Sequence, residues 1–525
     1  MRKEGESARP ERELKFLADP ETFKAALINP LLGQKTAAEL APQVIKSLYF
    51  DTESGDLLRQ GVTLRMRRMN RRMILGVKKE APPDGWFFER AEAETPSASA
   101  EPDLSLFDKD IARELEDIVG DHKLAPRFGS DVRRTLRMVT FHSAEIEVAL
   151  DDGFLFAGDR REPTHEIELE LKTGEPVALF EFGLALLDAL PLKLGVLSKA
   201  RRGALLLSGA PPAPVYATSP ALSPDMTTEE AIGALLRNGL GHFLGNLPVL
   251  ERGDPVEAVH QLRVAVRRLR SAFGLVYRFF PSAEFDALRE ESRRIGAALG
   301  EARDWDAFVE SLSEGALPSV AAPGFEKLIE AARARAKRAH AAVMELASAR
   351  ATARFALSLE RFVARRGWRV GAPDDGLEWL SEPVAPFAVR SLDRLHHKLL
   401  KRGKRFDSLT PPERHAVRIA VKHLRYATQF FGSLFDPASA VERYAEKAAA
   451  LQDLLGERND VTNALCLIQT FDFHSDAQFA YAAGVAAGWR VRGGLGEEPA
   501  LRKAWRSLRR AEPFWHGEAA VRKGD

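Results

Sequence analysis

The chain has 525 residues, 45% of them hydrophobic, a net charge of +1 and one cysteine, Cys466. A chain of this size holds roughly two to four domains, and a lone thiol excludes an intrachain disulfide framework and fits a reducing cytoplasm. The opening MRKEGESARPERE lacks the apolar centre of a secretory leader and no run of about 18 apolar residues occurs, so neither a signal peptide nor a membrane span is expected.

The near-neutral total conceals two halves. Residues 1–208 hold 31 Lys and Arg against 36 Asp and Glu, and the remainder holds 45 against 39. Neither imbalance is extreme, so the clustering of charge carries the information.

The first half reads as strands: KSLYFDT, VTLRMRR, MILGVKK, AEIEVALDDG and HEIELELKTG alternate or nearly so. In ERELKF, period 2 sets Glu11, Glu13 and Lys15 on one side and Leu14 and Phe16 on the other. HEIELELK sets Glu166, Glu168, Glu170 and Lys172 against Ile167, Leu169 and Leu171. Glu145 and Glu147 share a face, as do Arg65 and Arg67, and as do Arg133, Thr135 and Arg137. The plain reading is a sheet with one solvated charged face. Like charges in register along a strand argue against it, because they repel unless a counter-ion answers them. Convergent carboxylates suit a hard divalent cation, and convergent Arg and Lys suit phosphate oxygens. A face offering both would bind a metal–polyphosphate complex, provided it points inward, as in a closed barrel.

ERELKF resembles the E-x-E-x-K signature of the CYTH, or triphosphate tunnel metalloenzyme, family. YFDT (49–52), LRMRR (64–68), Lys78, FERAEAE (88–94), RRTLR (133–137), EIEVALDDG (145–153), HEIELELKTG (165–174) and SKARRG (198–203) follow in that family's order. The series is most similar to the bacterial branch of inorganic triphosphatases, often fused to a helical domain. The resemblance implies an eight-stranded antiparallel β tunnel and Mg²⁺ or Mn²⁺ as cofactor. It implies Glu11, Glu13, Glu168 and Glu170 as metal ligands, with Glu166, Glu145, Glu147 and Asp151 as secondary ones. Lys15, Arg65, Arg67, Lys78, Arg90, Arg133, Arg137 and Lys199 would grip the triphosphate, with Lys79 as the alternative to Lys78. The chemistry expected is in-line attack by water without a covalent intermediate, which needs mainly positioning and charge neutralisation. No P-loop is evident.

GAPPAPVYATSPALSP (209–224) carries five prolines and reads as a linker between a domain at 1–208 and a second at 225–515. Beyond it, long Ala/Leu/Arg/Glu segments of period 3.6 predict an all-helical half, making the whole an α+β multidomain protein. HQLRVAVRRLR (260–270) returns as HAVRIAVKHLR (415–425), and LGEARDWD (299–306) as LGERNDVT (455–462). Two matched blocks in one order mean an internal duplication of a helical bundle. On a helix, His260, Arg263, Arg267 and Arg270 fall within an arc of roughly 80°. His415, Arg418, Lys422 and Arg425 repeat the arc. Leu262, Ala265, Val266 and Leu269, with Val417, Ala420, Val421 and Leu424, form the core-facing stripes. A solvated helix pairs each base with an acid about one turn away, whereas no acid lies between Glu257 and Glu284 or between Glu413 and Asp436. A further basic run, RLHHKLLKRGKRF (394–406), leads into the second phrase. The stripes therefore call for an anion.

This half resembles the CHAD (conserved histidine α-helical domain) family, on both His phrases and the LGE pair. That implies two pseudo-symmetric four-helix bundles and a basic surface for inorganic polyphosphate. H-x-x-R offers no second ligand at metal spacing, so the histidines read as hydrogen-bonding groups. With few aromatics in the stripe, nucleic acid suits it less well than polyphosphate. The expectation is a cytoplasmic inorganic triphosphatase, associated with polyphosphate stores, that hydrolyses tripolyphosphate and also binds long-chain polyphosphate. The rivals are an adenylate cyclase or thiamine triphosphatase on the same tunnel, a non-catalytic polyphosphate binder, and a nucleic-acid module.

Overall fold

The strand-like runs of the first half form one antiparallel sheet in a computed structural model that describes residues 12–33, 42–70, 72–79, 92–313, 323–348, 350–473, 476–495, 498–516 and 521–522. Its strands are β1 (Glu13–Leu17), β2 (Gln43–Asp51), β3 (Val62–Met69), β4 (Arg72–Lys79), β5 (Glu92–Ser97), β6 (Ala125–Phe141), β7 (Ala144–Ala157), β8 (Arg160–Thr173) and the two-residue β9 (Lys193–Leu194). Their order is β5-β4-β3-β2-β6-β7-β8-β1-β9. The eight expected strands are present, with β9 added beside β1.

Short hairpins set the register. Phe141 pairs with Ala144, which brings Arg134 opposite Asp151 and Met138 opposite Glu147. Ala157 pairs with Arg160, which brings Asp151 opposite Glu166 and Glu147 opposite Glu170. His142 at φ 52° and Gly158 at φ 56° supply the left-handed backbone that such tight turns need. The outer face carries the apolar side chains. Leu14 and Phe16 pack beside the helix Pro176–Ala189, where a Cβ on Gly183 would come within 3.0 Å of Leu14. Leu64, Met66, Leu75 and Val77 bury themselves with Leu115 and Val119 of the helix Lys109–Val119.

Helices, numbered along the chain, divide between two compact units. With the sheet lie α1 (Pro20–Leu27), α2 (Asp56–Arg59), α3 (Lys109–Val119), α4 (Pro176–Ala189), α5 (Lys199–Ser208), α7 (Leu247–Arg252) and α11 (Arg350–Ala364). The other unit holds α6 (Thr228–Gly245), α8 (Pro255–Val276), α9 (Ala283–Ser313), α10 (Phe325–Ser348) and α12 (Asp374–Ser381). It continues with α13 (Val384–Arg402), α14 (Pro411–Phe431), α15 (Ala438–Ile468), α16 (Ala477–Leu495) and α17 (Glu498–Arg509). The units do not follow the chain in one cut: Leu247–Asp254 and Ala347–Arg365 cluster with the N-terminal unit.

The duplication is visible in the helical unit. Thr228 N–H donates to Glu382 O (2.8 Å) and Val384 N–H to Met226 O (2.9 Å). These two bonds exchange positions 156 residues apart, as a pseudo-twofold axis requires. The predicted core stripes of α8 and α14 are each at most 1% exposed. The segment read as a linker is only partly one, because from Val215 onward it belongs to the helical unit. Val215 N–H donates to Asn246 Oδ1 (3.1 Å), and Val215 O accepts from Asn246 Nδ2 (2.8 Å). Thr218 O accepts from the buried Arg268 (2.6 Å). A proline-rich segment cannot satisfy its own carbonyls, so it docks where side-chain donors can.

Candidate functional site

The charged face of the sheet is the enclosed one. Glu13, Lys15, Asp151, Glu166 and Glu168 are all 9% exposed or less. A flat solvated face would leave such groups in water, whereas here α5 crosses the same face and helps cover it. Ala200 of α5 packs with Tyr49, Phe128 and Ala157, and Lys199 reaches three carboxylates: Asp151 (2.9 Å), Glu168 (3.0 Å) and, closely, Glu166.

Two clusters share this lining. In the first, Lys15 Nζ lies 3.1 Å from both Glu13 and Glu168, and Arg134 bonds Asp151 and Glu168 at 2.6 Å. Burial works to raise Glu168, but Lys15, Lys199 and Arg134 outweigh it and hold the carboxyl well below its usual range. Burial likewise opposes the charge on Lys199, which Asp151, Glu166 and Glu168 hold well above its ordinary value. In the second cluster, Arg65 donates to Glu92 (2.7 Å) and Glu94 (2.8 Å), and Lys78 lies 2.7 Å from Glu92. Lys78, not Lys79, faces inward, since Lys79 pairs with Glu114 of α3. Arg67 differs from its neighbours. Its ion pair with Glu94 is long, 3.5 Å, and its Nε is buried without a hydrogen-bond partner among the described residues. Burial and the adjacent Arg65 push it down to about 10.

Several expected residues stand elsewhere. Arg133 is exposed, on the face opposite Arg134. Arg137, also on that face, donates to the backbone carbonyls of Leu27 (2.6 Å), Leu32 and Gly33 (both 3.4 Å). Grouping Arg133 with Arg137 selected the outer row of β6, because the inner row, Val132, Arg134 and Leu136, looks apolar. The Phe141–Ala144 hairpin carried the missing signal, since it puts Arg134 opposite Asp151. Glu145 is exposed at the strand end. Asp151 and Glu166 are occupied by Arg134, Lys199 and Arg202. Glu11 and Arg90 lie outside the described residues. Arg134, Arg202, Glu92 and Glu94 join the lining unpredicted.

Glu13, Glu170 and Glu147 form a row of direct cross-strand partners over β1, β8 and β7. Lys15 lies against Glu13, and Lys172 lies 2.6 Å from Glu170 and 3.3 Å from Glu147. Among the described residues no three acidic or imidazole groups converge as a metal site. As a donor set the three carboxylates are of the kind a hard divalent cation takes, and it would replace Lys15 and Lys172 as their counter-charge.

In the helical unit the two repeated phrases face one another. Arg263 lies 3.6 Å from Asp304 and feels the charges of Arg267, Arg418 and Asp460. Arg418 in turn feels Asp460, Arg267 and Asp304. Burial, then Arg267, Arg418, Arg270 and Arg263, push Lys422 down to about 8. Asp304 and Asp460 sit at matching places in the LGE blocks, and burial raises both above the usual carboxylate range. The acids missing from the stripes thus come from α9 and α15, which sequence spacing along one helix could not reveal. The glycine of the first LGE has a steric role: a Cβ on Gly300 would lie 2.7 Å from Arg263 Nη1. Arg425 lies 3.7 Å from Asp453. His260 is half-buried and pushed down by burial and Arg303, whereas His415 is exposed. Among the described residues no helix is long and apolar enough to cross a membrane.

Residues 9–204 match the family model of the CYTH domain, and residues 234–469 that of the CHAD domain. An inorganic triphosphatase of Haemophilus influenzae is 29% identical over 207 residues, 37% of this chain and 54% of that protein. The chain therefore spans about half the length of that relative. An uncharacterized protein of Mycobacterium tuberculosis is 26% identical over 455 residues, 80% of each chain. The crystal structure of the CHAD domain from the plant Ricinus communis is similar at 29% identity and a TM-score of 0.51, covering 59% of this chain and 99% of that one.

Proposed function

Because the chain joins a CYTH domain to a CHAD domain, we propose that its N-terminal unit is a metal-dependent inorganic triphosphatase and its helical unit a binder of inorganic polyphosphate. The observation that carries the first half is Arg67. It is a largely buried guanidinium beside two other cations and, among the described residues, has one long ion pair and an unanswered Nε. A phosphate oxygen supplies the missing charge and acceptor at once. The likeness to the inorganic triphosphatase of Haemophilus influenzae supports the same substrate class.

In this reading Arg65, Arg67 and Lys78 take the phosphate oxygens and give up Glu92 and Glu94 in exchange. Lys15, Arg134 and Lys199 meet the terminal phosphoryl group from the other cluster. Glu13, Glu170 and Glu147, with Glu11, are the carboxylates that would hold Mg²⁺ or Mn²⁺, which when bound would neutralise phosphate charge and acidify water. Glu168, kept ionised by its three cations, orients the attacking water. Water's oxygen bonds to the terminal phosphorus, the P–O bond to the middle phosphate breaks, pyrophosphate leaves, and the water's proton ends on a product phosphate oxygen or in solvent.

The helical unit is read as the polyphosphate binder because Arg263, Arg267, Arg418 and Lys422 crowd together, with Asp304 and Asp460 facing the first and third of them. Binding should weaken steeply with salt and resist competition by single-stranded RNA. Such a unit would hold the enzyme at polyphosphate stores.

The test is phosphate release with Mg²⁺ or Mn²⁺ from tripolyphosphate, ATP, thiamine triphosphate and long-chain polyphosphate in parallel. Preferential release from tripolyphosphate, abolished by Glu11→Ala with Glu13→Ala, is expected. Full activity in that double variant would overturn the tunnel reading, and turnover of ATP or thiamine triphosphate alone would reassign the substrate.

A further inference from the structure

The two halves of the helical unit treat equivalent positions differently. An offset of 156 sets Asn238, His242 and Asn246 of α6 against Arg394, Lys398 and Arg402 of α13. An offset of 155, that of the His phrases, sets Arg268 against His423. In the first half these positions hold an extended piece of the chain itself. Asn246 and His242 bond Val215 O at 2.8 and 3.0 Å, Asn238 bonds Thr218 Oγ1 at 3.2 Å, and Arg268 bonds Thr218 O.

In the second half the neutral donors are replaced by cations. Arg394, Lys398 and Arg402 are spaced i, i+4, i+8 and share one helix face. Arg278, just after α8, joins them. The charges acting on Arg394 and Lys398 are all positive: Arg278 on the first, and Arg402, Arg394 and Arg278 on the second. Arg394 Nε and Nη2 are buried without a hydrogen-bond partner among the described residues. The neighbouring acid is already engaged, since Asp393 accepts from Trp515 Nε1 (2.8 Å) and lies 2.7 Å from His516 Nε2. Arg402 is fixed by a 2.9 Å bond to Ala416 O. The cluster is continuous with the groove: His423 Nδ1 lies 3.2 Å from Ser271 Oγ of α8, and the ring feels Lys422, Lys398, Arg270 and Arg402.

We infer that Arg278, Arg394, Lys398, Arg402 and His423 form a second anion subsite, a one-sided extension of the groove that takes phosphoryl groups of a long polyphosphate chain where the first half takes the chain's own proline-rich segment. The inference rests on the polyphosphate reading of the helical unit. An extended backbone offers a row of carbonyl oxygens, and polyphosphate offers a row of charged ones. Exchanging neutral donors for cations adapts the same surface from one to the other.

The experiment measures affinity of the full chain for short-chain and long-chain polyphosphate in EDTA, over a range of salt. In Arg394→Ala with Lys398→Ala, long-chain affinity should fall about tenfold and the salt slope by roughly 1.4, at about 0.7 per lost contact on a single strand. Short-chain affinity should stay within about twofold of wild type. Lys398→Ala alone, at an exposed position, should show about half the slope change without a folding risk. Long-chain affinity unchanged in both variants would overturn the inference. An equal loss for both chain lengths would also overturn it, by assigning these residues to the central groove. Failure of the wild type to bind either chain would overturn the polyphosphate reading itself, and the subsite with it. That outcome is distinct, because it appears before any variant is compared.

Discussion

Arg134 holds Asp151 through two bonds of 2.6 Å, Nε to Oδ1 and Nη2 to Oδ2, on the enclosed face of the N-terminal sheet. The same Nη2 reaches Glu168 at 2.6 Å. A bidentate guanidinium–carboxylate pair fixes the plane of the arginine. Lys15 and Lys199 hold the same Glu168, so the three cations are fixed around one carboxylate.

Arg134→Gln should therefore lower kcat/KM for tripolyphosphate about a hundredfold, the scale of losing one preorganised charge donor. Arg133→Gln, one residue away on the exposed face, should stay within about twofold of wild type, as surface changes do. Steady-state kinetics on both variants, with melting temperatures to verify folding, decide this. If Arg133→Gln proved the more damaging, the assignment of the inner face would be wrong.

Acid should weaken the N-terminal unit through Glu168 and Asp151. Burial raises both carboxyls, but Lys15, Lys199 and Arg134 hold Glu168, and Lys199 and Arg134 hold Asp151, below their unfolded values. A depressed folded pKa stabilises above the unfolded pKa, about 4 for a carboxylate, and that stability is lost as pH falls through the folded value. Glu168→Gln breaks the network and should cost about 3–5 kcal/mol at pH 7, with the difference from wild type shrinking below about pH 4. Calorimetry across pH measures it, and a constant difference would contradict the ionised network.

In the helical unit, Lys422 should set an alkaline limit on polyphosphate binding. Burial and four arginines push it down to about 8, so above that pH the free protein carries it neutral. A bound polyanion favours the charged form, so binding must take up a proton there. Affinity should be full below pH 8 and fall about fivefold between pH 8 and 9. Guanidinium groups stay charged across this range, and His423, pushed down to about 4, stays neutral throughout. Lys422→Arg should flatten the profile, and an unchanged slope in that variant would rule Lys422 out.

The alternation of ERELKF and HEIELELK was enough to separate a charged row from an apolar one, since strand period 2 is a local property of the backbone. The core stripes of α8 and α14 were legible for the same reason at period 3.6, and the 156-residue offset announced the two-part helical unit. What no single segment could say is which row faces inward, and which strand partner stands opposite. A one-residue shift exchanges the faces of a strand. Only pairing with β7 brings Arg134, not Arg133, to Asp151. Likewise Asp304 and Asp460 meet the arginine stripes only because α9 and α15 bring them there, and Val215–Thr218 became a bound segment only because α6 and α8 offer donors to its carbonyls. Periodicity is written along the chain. Opposition of charges across elements exists only once burial and register have chosen the partners.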